Sequence, residues 1–349
     1  MKIMSPAALA LGSALLFGAS TPLAKLLVGD VHFMMLAALL YLGSGVGLAV
    51  LIMVDRAVRP GKAIALPDRA GWIAFALAIA AGGVAAPVAF VAGLARMPAA
   101  GASLLLNLES VFTALMAWLV FRENYDARIA AGMALIVAGG LVMALGADAG
   151  LGASFGPLLI GAACMLWAID NNLMRKASNA DARVVSCIKG VVAGSTNLAI
   201  ALAVGAPWPT TTKALSAATL GLFSYGVSFM LFVVALRELG AARTGAYYST
   251  APFFGAALAI ALLHEPITFQ LLTAAPLMAI GVWLHLTERH SHRHEHAALH
   301  HSHRHVHDDH HQHDHAAGED GHEPHSHAHD HEPLVHEHPH APDLHHRHH

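Results

Sequence analysis

The hydrophobic positions of the chain form ten long apolar runs that are separated by short polar segments. A helix that crosses the hydrocarbon core of a bilayer needs about 20 mainly apolar residues, and each run meets that length. The pattern therefore predicts ten transmembrane helices, at about residues 5–27, 33–53, 71–94, 98–121, 128–147, 154–176, 183–205, 214–236, 241–263 and 267–287. The first run continues past any small-residue cleavage site, so we expect it to remain as an uncleaved first helix.

Composition agrees with a membrane location. Of the 349 residues, 56% are apolar and only 12% are charged, whereas a soluble domain carries about 25% charged residues. The charge and the histidines divide at residue 289, because residues 290–349 carry a net charge of −8 and 25 of the 28 histidines. These values exclude a soluble enzyme and a nucleic-acid binder, which needs a basic face. The two cysteines, Cys164 and Cys187, form no CxxC motif.

Lysine and arginine in the short loops predict the orientation, since cytoplasmic loops are enriched in both. With the N-terminus inside, fourteen of these residues fall in or beside cytoplasmic segments. Only Arg96 and Lys213 fall on the outside. We therefore expect a multi-pass protein of the inner (plasma) membrane with both termini in the cytoplasm.

The chain repeats itself after five predicted spans. Residues 91–96 match residues 232–237, and Ser110 and Pro252 each lie thirteen residues before a glutamate, Glu123 and Glu265. Because five is odd, the two halves must enter the membrane in opposite orientations. Inverted repeats around a central site are a common plan of secondary transporters.

These residues resemble the EamA family of the drug/metabolite transporter superfamily. The resemblance rests on the aromatic–small pairs Phe17-Gly18 and Trp167-Ala168, the small-rich spans three and eight, and Ala251-Pro252-Phe253-Phe254 followed by Glu265. It implies an all-α membrane protein of ten helices in two inverted five-helix repeats, residues 1–147 and 154–287. To these we add a disordered His-rich cytoplasmic tail, residues 288–349. The resemblance further implies a secondary transporter, usually an exporter of small metabolites, amino acids or drugs. The first half departs from the pattern, because Glu109-Ser110 stands where the second half has Pro252.

Four ionisable residues lie inside the predicted spans, where charge is costly and usually functional. Glu109, midway along span four, is a candidate for proton coupling or substrate binding, or alternatively a buried acid held by Asn107 or a tyrosine. Asp170 and Lys189 lie at similar depth on consecutive spans, so we expect them to pair, either structurally or as part of the transport site. Lys25, near the end of span one, is expected to extend towards the membrane surface.

Uncharged polar residues complete the candidate transport site. Amides in spans line polar cavities or bond between helices, and tyrosines combine an apolar ring with a polar tip. We expect Glu123 and Glu265, at opposite ends of the bundle, to cap helices or to gate. The uncharged candidates are Asn107, Asn171, Asn172, Tyr225, Tyr247 and Tyr248.

The tail has the composition of a metal-binding segment, since histidine alternates with other residues over long stretches. With little apolar surface to bury, the tail is expected to be disordered alone. Neutral imidazole is a common ligand of Zn, Ni, Co and Cu. The predicted metal ligands are His301, His303, His305, His307, His311, His313, His315, His325, His327, His329 and His331.

Together these observations favour a proton-driven exporter of a small organic molecule that needs no resident cofactor and whose tail binds divalent metals. Its expected partners are the small-molecule substrate, the lipid bilayer and divalent metal ions. The alternative is a transporter of Ni, Co, Zn or Cu, or a metal-tolerance protein, in which the tail collects the ion. An enzyme is not expected, because the chain lacks HExxH, GxSxG and Walker motifs.

Overall fold

The structure, a computed structural model, describes residues 5–58, 65–121, 127–145, 155–177 and 180–286 and four short tail segments within residues 290–340. Within these residues, ten helical segments are long and apolar enough to cross a membrane, which confirms the predicted spans. In order, the spans are Pro6–Lys25, Phe33–Val58, Arg69–Leu94, Ala99–Val120, Ala127–Ala144, Phe155–Met174, Ala182–Ala203, Thr211–Leu239, Arg243–Leu263 and Phe269–Leu286.

Five of the ten spans are interrupted. Span one divides into helices Pro6–Gly18 and Ser20–Lys25, span four into Ala99–Leu105 and Leu108–Phe121, and span nine into Ala241–Tyr248 and Ala251–Leu263. Spans three and eight each contain a π-helical segment, Ile79–Ala85 and Leu222–Val227. π-Helical turns are rare and recur at functional sites, so these spans are candidates for the site.

The interruptions occur at matching places in the two halves. When Ser110 is aligned with Pro252, the break at Leu106–Asn107 coincides with the end of helix Ala241–Tyr248. When residues 91–96 are aligned with residues 232–237, the two π-helical segments overlap. The repeat that the sequence predicts is therefore present in the local backbone geometry as well.

Each span packs mainly against a span of the other half. Spans two and seven, three and six, and five and ten are principal partners. Span one packs against spans eight and nine, span four against spans six and nine, and span eight also against span two. Glycines allow the closest approaches, because a methyl group on Gly45 would collide with the backbone of Gly190 and Val191. Gly132 and Gly281 meet in the same way between spans five and ten. Small residues at helix interfaces are typical of membrane proteins.

One end of the bundle, which we call the Glu265 end, is closed by two charged side chains. Lys25 Nζ donates to the carbonyl oxygens of Leu94 and Met97 at 2.6 and 2.9 Å, where span three ends. Lys25 therefore caps the end of span three with a part-buried ammonium group. Glu265 accepts the N–H groups of Ala99 and Ala100, where span four begins. Glu265 is therefore a helix cap; its counterpart Glu123 lies outside the described residues.

Arg183 organises the opposite end. Its guanidinium group binds Asp55 at 2.9 Å and Asp181 at 3.0 Å. The Asp181 carboxylate also accepts the Arg183 backbone N–H and so caps span seven. The hydrogen bond from the Arg183 side chain holds the pKa of Asp181, which lies just outside the span, below its usual value.

Within the tail, four short segments are extended. Four seven-residue strands form two antiparallel pairs: β1 (His290–His296) with β4 (Leu334–His340), and β2 (Leu299–His305) with β3 (His325–His331). The disorder of the tail alone remains a prediction. The alternation of histidine with a second residue type has the period of two that an extended strand requires, and pairing satisfies backbone hydrogen bonds without a large apolar core.

Candidate functional site

Glu109 lies in the first turn of helix Leu108–Phe121, directly after the break in span four. Polar side chains support the break, because Asn107 Nδ2 donates to the Leu104 carbonyl at 2.9 Å and Ser110 Oγ donates to the Asn107 carbonyl at 2.7 Å. The partial positive charge of the helix N-terminus stabilises an anion in the first turn. The break therefore creates a position deep in the membrane at which a carboxylate is stabilised.

The Glu109 carboxylate accepts a hydrogen bond from Asn171 Nδ2 at 2.8 Å. This bond joins span four of the first half to span six of the second half. Asn171 is exposed and Glu109 is half-buried, so the pair borders space that a small molecule can reach. The sequence proposed Asn107 or a tyrosine as the partner of Glu109; Asn171 holds Glu109 instead, and Asn107 supports the helix break.

Asp170 and Lys189 form the ion pair that the sequence predicts, between spans six and seven. The Asp170 side chain is 5% exposed and the Lys189 side chain 20% exposed. The π-helical segment of span three makes room for the pair, because a Cβ atom on Gly82 would collide with Asp170. The ion pair therefore packs directly against the backbone of span three at Gly82.

The Gly82 carbonyl oxygen joins the ion pair to the aromatic part of the site. It accepts hydrogen bonds from the Tyr41 hydroxyl at 2.9 Å and from Trp167 Nε1 at 3.1 Å. The next carbonyl, that of Gly83, accepts a hydrogen bond from Asn197 at 3.3 Å. Side chains from spans two, six and seven therefore satisfy backbone groups at the irregular turn.

Aromatic rings from both halves meet beside these groups and form what we call the aromatic cluster: Phe17, Tyr41, Tyr225, Phe232 and Tyr248. Phe17 lies with its ring centre 5.4 Å from that of Tyr248 and 6.0 Å from that of Tyr225. The Tyr41 and Tyr225 centres are 5.8 Å apart, and those of Phe232 and Tyr248 are 5.0 Å apart. All five side chains are half-buried, and they come from spans one, two, eight and nine.

Two serines fix the geometry of the aromatic cluster. Ser13 Oγ donates to the Ser228 carbonyl at 2.7 Å, and Ser228 Oγ donates to the Ser13 carbonyl at 2.9 Å. Ser13 lies one helical turn from Phe17, and Ser228 lies about one turn from Tyr225. This reciprocal bond clamps spans one and eight where their aromatic rings meet.

The Glu109 carboxylate and the aromatic cluster belong to one electrostatic environment. Glu109 interacts electrostatically with Tyr41, Tyr248 and Cys164, as well as with Asp170 and Lys189. The arrangement combines one carboxylate stabilised by neutral groups, one ion pair and a wall of aromatic rings. Such a site can bind a small organic molecule and take up or release a proton.

The remaining candidates have other positions. Asn172 donates to the Thr113 and Ala168 carbonyls and ties spans four and six together. Tyr247 is half-buried. Its neighbour Tyr248 is the tyrosine whose ring contacts Phe17 and Phe232. Sequence reasoning missed Tyr41 as a site residue. In the sequence, Phe17 and Trp167 served only as markers of the repeat. Their matched positions in the two halves could have indicated that both belong to the site.

The predicted metal ligands belong to the tail. His301, His303 and His305 lie on β2, and His325, His327, His329 and His331 lie on β3. The other four predicted ligands, His307, His311, His313 and His315, lie outside the described residues. Within the part of the chain that is described in full, no group of three His, Cys, Asp or Glu side chains is placed to hold a metal ion.

Comparison with known proteins identifies the class. Residues 4–145 and 154–287 each match the EamA-like transporter family, so the chain belongs to that family and is a membrane transporter. A protein described as an uncharacterized transporter of Methanothermobacter thermautotrophicus is 29% identical over 281 residues, which are 77% of this chain and 82% of that protein. A crystal structure that is 19% identical matches 80% of this chain and 95% of its own, with a TM-score of 0.59, and supports the fold.

Proposed function

We propose that this transporter is a proton-coupled exporter of a small organic molecule in the cytoplasmic membrane, with both termini in the cytoplasm. The observation that carries the proposal is the hydrogen bond between Glu109 and Asn171, which places a membrane-embedded carboxylate in accessible space where the two halves meet. A carboxylate there can exchange a proton for a substrate. Lysine and arginine in the loops support the orientation.

The matched helix breaks support a transport mechanism. Discontinuous helices near the middle of the membrane place helix ends at the binding site in several secondary transporters. Here the breaks in spans four and nine lie in the helices that carry Glu109 and Tyr248. Rocking one bundle against the other about this point would expose the site to each side in turn.

The test uses the full-length protein in liposomes with an imposed pH gradient. The vesicles are supplied with a mixed pool of neutral, cationic and anionic metabolites, and the transported compounds are identified by mass spectrometry. Glu109→Gln should abolish gradient-driven transport, whereas Glu238→Gln, which changes an exposed acid at the end of span eight, should leave it intact. Equal transport by Glu109→Gln at every gradient would show that Glu109 is structural.

The strand register of the tail supports a second function, the binding of divalent metal ions. In the β2–β3 pair, His301 is opposite His329, His303 opposite His327, and His305 opposite His325. Histidine is therefore opposite histidine at every second position of the register. Two neighbouring pairs supply four histidine positions, the number that tetrahedral zinc requires.

Zinc titration of the full-length protein tests the tail. Replacing His301, His303 and His305 by alanine should weaken zinc binding, whereas replacing Ser302, Arg304 and Ser326, at the alternate register positions, should not. Deleting residues 290–349 should leave transport of the organic substrate intact. Zinc or nickel transport that survives this deletion and is lost in Glu109→Gln would instead favour the metal-transporter alternative.

A further inference from the structure

We propose that the site selects organic cations: a protonated amine or quaternary ammonium group lies between the Glu109 carboxylate and the aromatic cluster. The inference rests on the proposed function and assigns its substrate class. Three observations carry it: the balance of charge at the site, the surroundings of Glu109, and the chemistry of the walls.

The first observation is the charge balance. Glu109, Asp170 and Lys189 interact electrostatically with one another. Lys189 makes its ion pair with Asp170, whereas Glu109 accepts its hydrogen bond from the neutral amide of Asn171. With all three groups charged, these residues therefore carry one net negative charge within the membrane. An unbalanced charge in a medium of low dielectric constant attracts a counter-ion strongly, and a cationic substrate supplies it.

The second observation is the local environment of Glu109. The helix N-terminus and the Asn171 amide both stabilise the anionic form. Glu109 is also half-buried and Asn171 is exposed, so an incoming group can reach the carboxylate. An anionic substrate would be repelled by Glu109, and a neutral one would leave the charge uncompensated.

The third observation is the aromatic wall. The face of an aromatic ring is negative and attracts an ammonium group within about 6 Å of the ring centre. Phe17 contacts both Tyr225 and Tyr248, and all three rings are half-buried, so part of their surface is accessible. Rings that face a cation from several directions, with a carboxylate nearby, form a site suited to a substituted ammonium group.

Two sets of charge-matched probes test the inference on the full-length protein. One compares choline with its neutral carbon isostere, in which a tert-butyl group replaces trimethylammonium. The other compares phenethylamine, phenethyl alcohol and phenylacetate. Binding is measured as a shift in thermal stability, and transport as uptake of labelled probe into liposomes. We expect binding and transport of the amines alone.

Variants assign the effect to named groups. Glu109→Gln should abolish amine binding, and Glu109→Asp should retain part of it. Phe17→Leu and Tyr248→Leu should each weaken amine binding about two- to thirtyfold. Trp72→Leu, which changes a ring exposed on the surface of span three, is the control and should have no effect.

Three results would overturn the inference. The first is equal binding of the neutral or anionic member of a set, the second is amine binding that survives Glu109→Gln, and the third is a lack of binding by both amines. None of these results decides the proposed function, which is tested separately with a pool of neutral, cationic and anionic metabolites. Glu109-dependent export of a neutral compound from that pool would retain the proposed function and reject cation selectivity.

Discussion

Glu265 and Ala99 belong to opposite halves of the chain and meet at a helix end, where the carboxylate accepts the Ala99 N–H at 2.6 Å. Its second oxygen accepts the Ala100 N–H at 2.8 Å, so one side chain satisfies two N–H groups that the helix cannot. Pro98 at the N-cap has no side-chain oxygen that could accept these N–H groups, so the second half supplies the acceptor. The contact fastens the Glu265 end of the bundle.

We therefore predict that Glu265→Ala lowers the free energy of unfolding by about 2 kcal/mol, since charge-assisted caps contribute on that order. Glu265→Gln, which keeps one acceptor oxygen, should lose roughly half as much. Thermal unfolding in detergent measures both. Glu238→Ala serves as the control, and equal melting temperatures for all three variants would contradict the role of the cap.

The Asp170–Lys189 pair predicts strong coupling between two substitutions. Asp170→Asn or Lys189→Met alone leaves a charge without its partner in the membrane and should destabilise the protein by about 3–5 kcal/mol. The double variant should recover most of that loss because neither charge remains. A double-mutant cycle measured by thermal unfolding gives the coupling, and additive losses would show that the two residues act independently.

Asn171 and Asn172 form a matched pair of tests. Asn171→Ala removes the hydrogen bond to Glu109 and should reduce transport about tenfold or more, with little loss of stability because the side chain is exposed. Asn172→Ala removes one interhelical hydrogen bond, to Thr113, and one intrahelical bond, to Ala168, and should lower stability by about 1–2 kcal/mol instead. The measurements are uptake in liposomes and thermal unfolding. The reverse pattern would move the site away from Glu109.

Asp181 gives a prediction for pH. Because hydrogen bonding by Arg183 lowers the pKa of Asp181 in the folded protein, its contribution to stability is present above the unfolded pKa of about 3.9 and is lost as the pH falls through the lower folded pKa. Asp181→Asn should therefore melt below the parent protein at neutral pH and approach it in acid. Unfolding curves from neutral pH to about pH 3 test this; a constant difference would exclude the ionised contact.

Some features of the fold and the site can be predicted from residue types and their spacing, and others cannot. Charged residues in apolar runs are visible, so Glu109 and the Asp170–Lys189 pair could be predicted. An aromatic residue such as Tyr41 is not visible in the same way, because an apolar run does not show which face contacts lipid. The break before Glu109 was hidden too, since Asn107 and Ser110 create it by local hydrogen bonds rather than by proline.

The packing of each span against a span of the other half sets the order in which the bundle can assemble during synthesis. Span five finds its principal partner in span ten, the last to leave the ribosome, and span two waits for span seven. During synthesis the first half therefore lies in the bilayer with its glycine-rich surfaces against lipid. The bundle is complete only when span ten has been inserted. A chain that ends before span ten leaves span five without its principal partner, and we expect such a chain to be degraded.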